Sequence, residues 1–118
     1  SSDFLPTILD AAGITPPDAY VMDGRTFLPQ LKGEKGNSRD WVYFHFEPMS
    51  GRVYRFARYI RNHNYKLYDD GRLFDLSTDS EEEFPFKAST DDDDRAAARK
   101  QLAPIFDQMV KEKPPKPV

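Results

Sequence analysis

Tyr65-Lys66-Leu67-Tyr68-Asp69-Asp70-Gly71-Arg72-Leu73-Phe74-Asp75-Leu76 is the stretch on which the fold turns. Two short runs of aromatic and apolar residues flank Asp-Asp-Gly, whose glycine accepts the positive φ of a tight reversal, so the stretch predicts a β-hairpin. Upstream, Trp41-Val42-Tyr43-Phe44-His45-Phe46 reads as another strand. Between them, Val53 to Arg61 fits two templates. Val53, Phe56, Ala57 and Ile60 recur at helical spacing, while Tyr54, Phe56 and Ile60 suit a strand beside the hairpin, and strand is the reading adopted. Twelve of the sixteen aromatic residues lie between Trp41 and Phe86, which places the sheet there.

Downstream, Ser77 to Asp94 is acidic and contains Pro85, the pattern of a surface connection, with Phe84 and Phe86 expected to tack it to the sheet. Ser89 to Lys113 predicts a long helix. Thr90 and Asp93 have capping-box spacing, and Leu102, Ile105, Phe106, Met109 and Val110 form its apolar stripe. Pro104 lacks an amide and opposes the carbonyl of Lys100, a cost of roughly 3 kcal/mol unless the helix bends or restarts. Pro114, Pro115 and Pro117 predict an extended tail.

Upstream of the sheet the pattern is different. Ser2 or Asp3 is placed to cap a short helix carrying Phe4, Leu5, Ile8, Leu9 and Ala12 at helical spacing, with Pro6 in its first turn and Gly13 at its end. Pro16 and Pro17 enforce an extended linker, and Phe27, Leu28 and Leu31 mark a second short helix that stops at Gly33. Helices this short do not stand alone in water. Each needs a surface for its apolar stripe, and a partner beyond these 118 residues is expected.

Composition narrows the function classes. Charged residues make up 31% and hydrophobic residues 38%, too polar for a membrane protein, and no apolar run approaches the ~18 residues of a span. A net charge of -3 supplies no basic field for nucleic acid. There is no cysteine, hence no thiolate metal site or cysteine nucleophile, and neither a Gly-x-Ser-x-Gly elbow nor a HExxH pair occurs. The acidic run Asp91 to Asp94 lacks the glycine and distal glutamate of an EF-hand, and reads as carboxylates facing a helix macrodipole.

Six residues remain as candidates for contact with a substrate. His45 and His63 are the only histidines, open to proton transfer or to structural roles. Arg52, Arg55, Arg58 and Arg61 recur every three residues, suited to bidentate contact with a sulfate, phosphate or carboxylate, or to surface salt bridges.

Asp3-Phe4-Leu5-Pro6-Thr7-Ile8-Leu9-Asp10-Ala11-Ala12-Gly13-Ile14, Met22-Asp23-Gly24-Arg25-Thr26-Phe27-Leu28-Pro29-Gln30-Leu31-Lys32-Gly33 and Arg39-Asp40-Trp41 resemble, in order and spacing, the C-terminal third of the sulfatase family. Arg58-Tyr59-Ile60-Arg61, Tyr65-Lys66-Leu67-Tyr68 and Leu73-Phe74-Asp75-Leu76 continue the likeness, with Asp79-Ser80-Glu81 where relatives usually carry a proline-containing turn. The resemblance spans roughly residues 3 to 110, and it resolves the ambiguous segment as strand.

The resemblance implies an α+β C-terminal subdomain of an alkaline-phosphatase-like sulfatase: a small antiparallel sheet of about four strands on a long C-terminal helix, preceded by two short helices. Residues 1–38 would be the terminal helices and linker of a missing catalytic α/β domain, 39–113 the subdomain, and 114–118 a proline-rich tail. The implied parent hydrolyses sulfate esters with a formylglycine from a Cys/Ser-x-Pro-x-Arg signature beside calcium, and that signature is absent from this sequence. The chain alone is therefore expected to be inactive and prone to self-association. Its expected role is to complete the fold and one wall of a pocket for a sulfated ester, a glycan among the candidates. No nucleic acid or membrane partner is expected, and family habit points to the periplasm, secretion or the lysosome. Two rival readings are a stand-alone carbohydrate- or protein-binding module and the C-terminal part of a related phosphatase or phosphodiesterase.

Overall fold

The computed structural model describes residues 2–46 and 57–112. The chain divides into two compact units, Ser1–Arg39 and Asp40–Val118.

The first unit holds helices α1 (Phe4–Ala11) and α2 (Leu28–Leu31). The expected cap of α1 does not form, because the Asp3 carboxylate is drawn elsewhere. It accepts from the Arg25 amide at 2.8 Å and from Arg39 Nη2 at 2.5 Å, and Arg39 also donates to the Asp23 carbonyl at 2.8 Å. The hydrogen bond from Arg39, joined by that from the Arg25 amide, holds the Asp3 carboxyl below its ordinary range. Thr7 is buried; its hydroxyl donates to the Asp3 carbonyl at 2.7 Å and accepts from the Phe27 amide at 3.0 Å. Phe4 packs edge-on against Phe27. Even so, Phe4 is 62% and Ile8 61% exposed. The buried side of α1 is Pro6 and Thr7, while its apolar stripe faces outward.

The second unit is a meander of four antiparallel strands in chain order: β1 (Val42–Phe46), β2 (Ala57–Arg61), β3 (Tyr65–Tyr68) and β4 (Leu73–Asp75). Residues 53–56 of the expected second strand lie outside the described residues, as does the proline-rich tail. The hairpin forms as read, with Gly71 at φ +86°. Strand alternation sends Ile60, Leu67 and Leu73 to one face, where they meet Leu102 and Phe106 of helix α3 (Asp93–Lys111). Burying such a side chain contributes about 1.5–3 kcal/mol, so these five dominate the stability of the unit. Trp41, Tyr43, Tyr65 and Phe86 pack around them.

Two features depart from expectation. The capping box at Thr90 and Asp93 is not used: the Thr90 hydroxyl donates backward to the Lys87 carbonyl at 2.9 Å, within a short 3₁₀ turn, Ala88–Thr90. Asp92 caps instead, its extended backbone aiming a carboxylate at the Arg95 amide, 2.9 Å away. Asp93 and Asp94 then occupy the first turn. Nor does Phe84 tack the connection down, since it is 68% exposed. The turn is organised by the Asp79 carboxylate, which accepts from the amides of Glu83 (2.9 Å) and Phe84 (2.8 Å). Phe86 does reach the sheet, through an antiparallel bridge to Leu73. Arg99 bolts the connection to α3: it pairs with Asp91 at 2.5 Å and donates to the carbonyls of Gly71 (2.5 Å) and Phe86 (2.7 Å).

Candidate functional site

An arginine every third residue does not make one patch on a strand. Alternation puts Arg58 on the helix-facing side of β2 and Arg61 on the other, about 10 Å further along. The antiparallel register sets Arg58 directly opposite His45. The Arg58 guanidinium is held by Asp69 at 3.3 Å, and the Asp69 amide donates to the Arg58 carbonyl at 3.2 Å. Tyr43, two residues before His45 and therefore on the same face, brings its hydroxyl within 3.2 Å of His45 Nδ1. The direction of that hydrogen bond follows the imidazole tautomer. Tyr43 also packs edge-on against Phe106, and burial, reinforced by Asp69 and opposed by Arg58, pushes its phenol above the usual range.

Tyr43, His45, Arg58 and Asp69 thus gather at the end of the sheet from which residues 47–56 connect β1 to β2. Arg52 and Arg55 belong to that connection, outside the described residues. The chemistry available is recognition: a guanidinium with a fixed fork, an imidazole that offers a ring nitrogen to a partner, and a phenol that stays protonated. Sequence reading found His45 and Arg58 but missed Tyr43 and Asp69. Both were signalled, Tyr43 by its two-residue offset from His45 and Asp69 by the hairpin pairing of Tyr59 with Tyr68.

Arg61 and His63 lie at the other end. Arg61 donates to the carbonyls of Asn62 (3.1 Å) and His63 (3.5 Å), and His63 is exposed in the β2–β3 turn. The four candidates among the described residues therefore fall into two places: His45 and Arg58 in one, Arg61 and His63 in the other. Among the described residues no group of three His, Asp or Glu is placed to hold a metal ion. No helix among the described residues is long and apolar enough to cross a membrane.

A family model described as N-sulphoglucosamine sulphohydrolase, C-terminal, matches residues 1–112. The chain belongs to this sulfatase family. This sulfatase C-terminal chain is also similar to two solved structures. One is BT1596, a 2-O GAG sulfatase, with 26% identity and a TM-score of 0.70. The other is a Bacteroides thetaiotaomicron VPI-5482 protein assigned as a sulfatase, with 26% identity and a TM-score of 0.67. Each match covers 92% of this chain and 24% of the solved one, so the sulfatase C-terminal chain spans about a quarter of the length of these relatives. A search of curated proteins gave no match. The expected fold class, a four-stranded antiparallel sheet with a C-terminal helix, is the one these sulfatases share with it.

Proposed function

We propose that this chain is the non-catalytic C-terminal subdomain of a sulfuric ester hydrolase, completing the fold of the larger enzyme and forming one wall of its substrate pocket. The observation that carries this reading is the family match over residues 1–112, joined to a sheet end where His45 and Arg58 face one another across β1 and β2. Arg58 is the anion contact. Its geometry suits a sulfate or carboxylate of the substrate, and Asp69 holds the guanidinium in place until substrate arrives. His45, set by Tyr43, contributes a second donor. The nucleophile and the metal of the reaction belong to the parent outside this chain, in a catalytic domain that is its native partner.

The test is steady-state kinetics of the full-length parent carrying Arg58→Gln. KM for a sulfated substrate is expected to rise roughly tenfold with kcat nearly unchanged, the signature of lost ground-state and transition-state binding alike. An unchanged KM would remove Arg58 from the pocket. Hydrolysis of an aryl sulfate by the 118-residue chain alone would overturn its non-catalytic role.

A further inference from the structure

The second unit carries a cleft that the proposed pocket wall does not use. It has a volume of about 620 Å³, within the range of small-molecule sites, and lies between the β2–β3 turn and the N-terminal half of α3. His45 and Arg58 are not among its lining residues.

Its wall is built rather than loose. Asn62 Oδ1 accepts from the amides of Asn64 (3.0 Å) and Tyr65 (2.7 Å), and Asn62 Nδ2 donates to Gln101 Oε1 at 3.3 Å. The turn is therefore clamped both to itself and to the helix. Ala97 and the buried Ala98 contribute small side chains to the lining, and the half-buried Tyr65 lies alongside. Burial, together with the carboxylates of Asp75, Asp94 and Asp92, holds the Tyr65 phenol above its usual range, so it remains a proton donor.

The polar groups lining it include Asp40, His63, Asn64, Asp94 and the amide nitrogen of Gln101, none of them with a side-chain hydrogen bond or ion pair among the described residues. Two carboxylates accept; amides and imidazole both donate and accept. Among the described residues no lysine or arginine lines the cleft, and neighbouring Arg61 is engaged by two backbone carbonyls. A site of this composition repels sulfate, phosphate and carboxylate but matches the alternating donors and acceptors of adjacent hydroxyl groups. We infer that this cleft binds an unsulfated sugar ring, at a place separate from the arginine-bearing end of the sheet. The inference stands on the cleft alone and does not depend on the activity of the parent.

Amide NMR of the chain, titrated with N-acetylglucosamine, galactose and N-acetylglucosamine 6-sulfate, tests it. Either neutral sugar is expected to shift the side-chain amides of Asn64 and Gln101 and the backbone amides of Ala97 and Ala98, saturably. The sulfated sugar is expected to bind roughly tenfold more weakly, by repulsion from Asp40 and Asp94. Ala97→Trp, at an exposed helix position, fills the cleft and abolishes the shifts, while the amides of Ile60 and Leu67 keep their folded positions; Gln101→Ala weakens binding without filling anything. Absence of saturable shifts with both neutral sugars up to their solubility overturns the inference. So does equal or tighter binding of the sulfated sugar, or binding that survives Ala97→Trp.

Discussion

Glu82 has φ +60°, the left-handed region where a Cβ crowds the following carbonyl and residues other than glycine are uncommon. Its carboxylate is held twice, by Lys66 Nζ at 2.5 Å and by the Tyr68 hydroxyl at 2.6 Å, while the ammonium lies 4.0 Å from the centre of the Tyr59 ring. Desolvation raises the Glu82 carboxyl, but the hydrogen bonds from Lys66 and Tyr68 outweigh it and leave the group below its ordinary value. Lys66 is lowered by desolvation and raised more by Glu82 and Tyr68, ending above its ordinary value. For a depressed carboxyl the stabilisation is complete above its unfolded value and lost as pH falls through the folded one. Glu82→Gln is therefore expected to cost about 2 kcal/mol at pH 7. That cost should shrink as the pH drops below about 4.5, where the carboxyl of the unfolded chain takes up a proton, and vanish once the folded carboxyl is protonated as well. Urea unfolding at pH 7 and pH 3 checks this, and an equal loss at both would show that the charge is not what matters.

The hairpin was legible because its information is local: Asp-Asp-Gly specifies a reversal whatever surrounds it. Gly71→Ala forces a side chain into φ +86° and is expected to lower stability by roughly 1–2 kcal/mol, read from the shift in denaturation midpoint. The start of α3 was less legible, because Thr90 and Asp92 both suit a cap and the choice is made by the 3₁₀ turn upstream, which spends the Thr90 hydroxyl. Arg99 was not legible at all. Nothing in its neighbours along the chain announces that one guanidinium will serve Asp91, Gly71 and Phe86, three points brought together only by tertiary folding. Asp91 is 5% exposed in that pair, so leaving it unpartnered is costly. Arg99→Ala should lose about 3–5 kcal/mol. Arg99→Lys should fall between, since an ammonium cannot reproduce the fork. Indistinguishable lysine and alanine variants would show that fork geometry is not the source of the effect. The candidate site follows the same division: His45 and Arg58 were visible as residue types, whereas their pairing needed the register.

At the scale of the molecule, the two compact units differ in what holds them. The sheet unit has a contiguous core of five buried side chains, whereas α1 buries only Pro6 and Thr7 and leaves Phe4 and Ile8 exposed. Hydrogen exchange in this chain is expected to protect the amides of Ile60 and Leu67 far longer than those of residues 8–11. Equal protection would mean that α1 is covered in the isolated chain. The order of the core along the sequence has a further consequence, one of timing. The strands pair strictly with their chain neighbours and so assemble early, but Leu102 and Phe106 are synthesised roughly 30 residues after Leu73. At about 5–20 residues per second, the apolar face formed by Ile60, Leu67 and Leu73 stays bare for roughly one to six seconds on the ribosome. A chain cut short before Leu102 and released would thus carry the sheet with no lid, a ready client for a chaperone that grips hydrophobic surface.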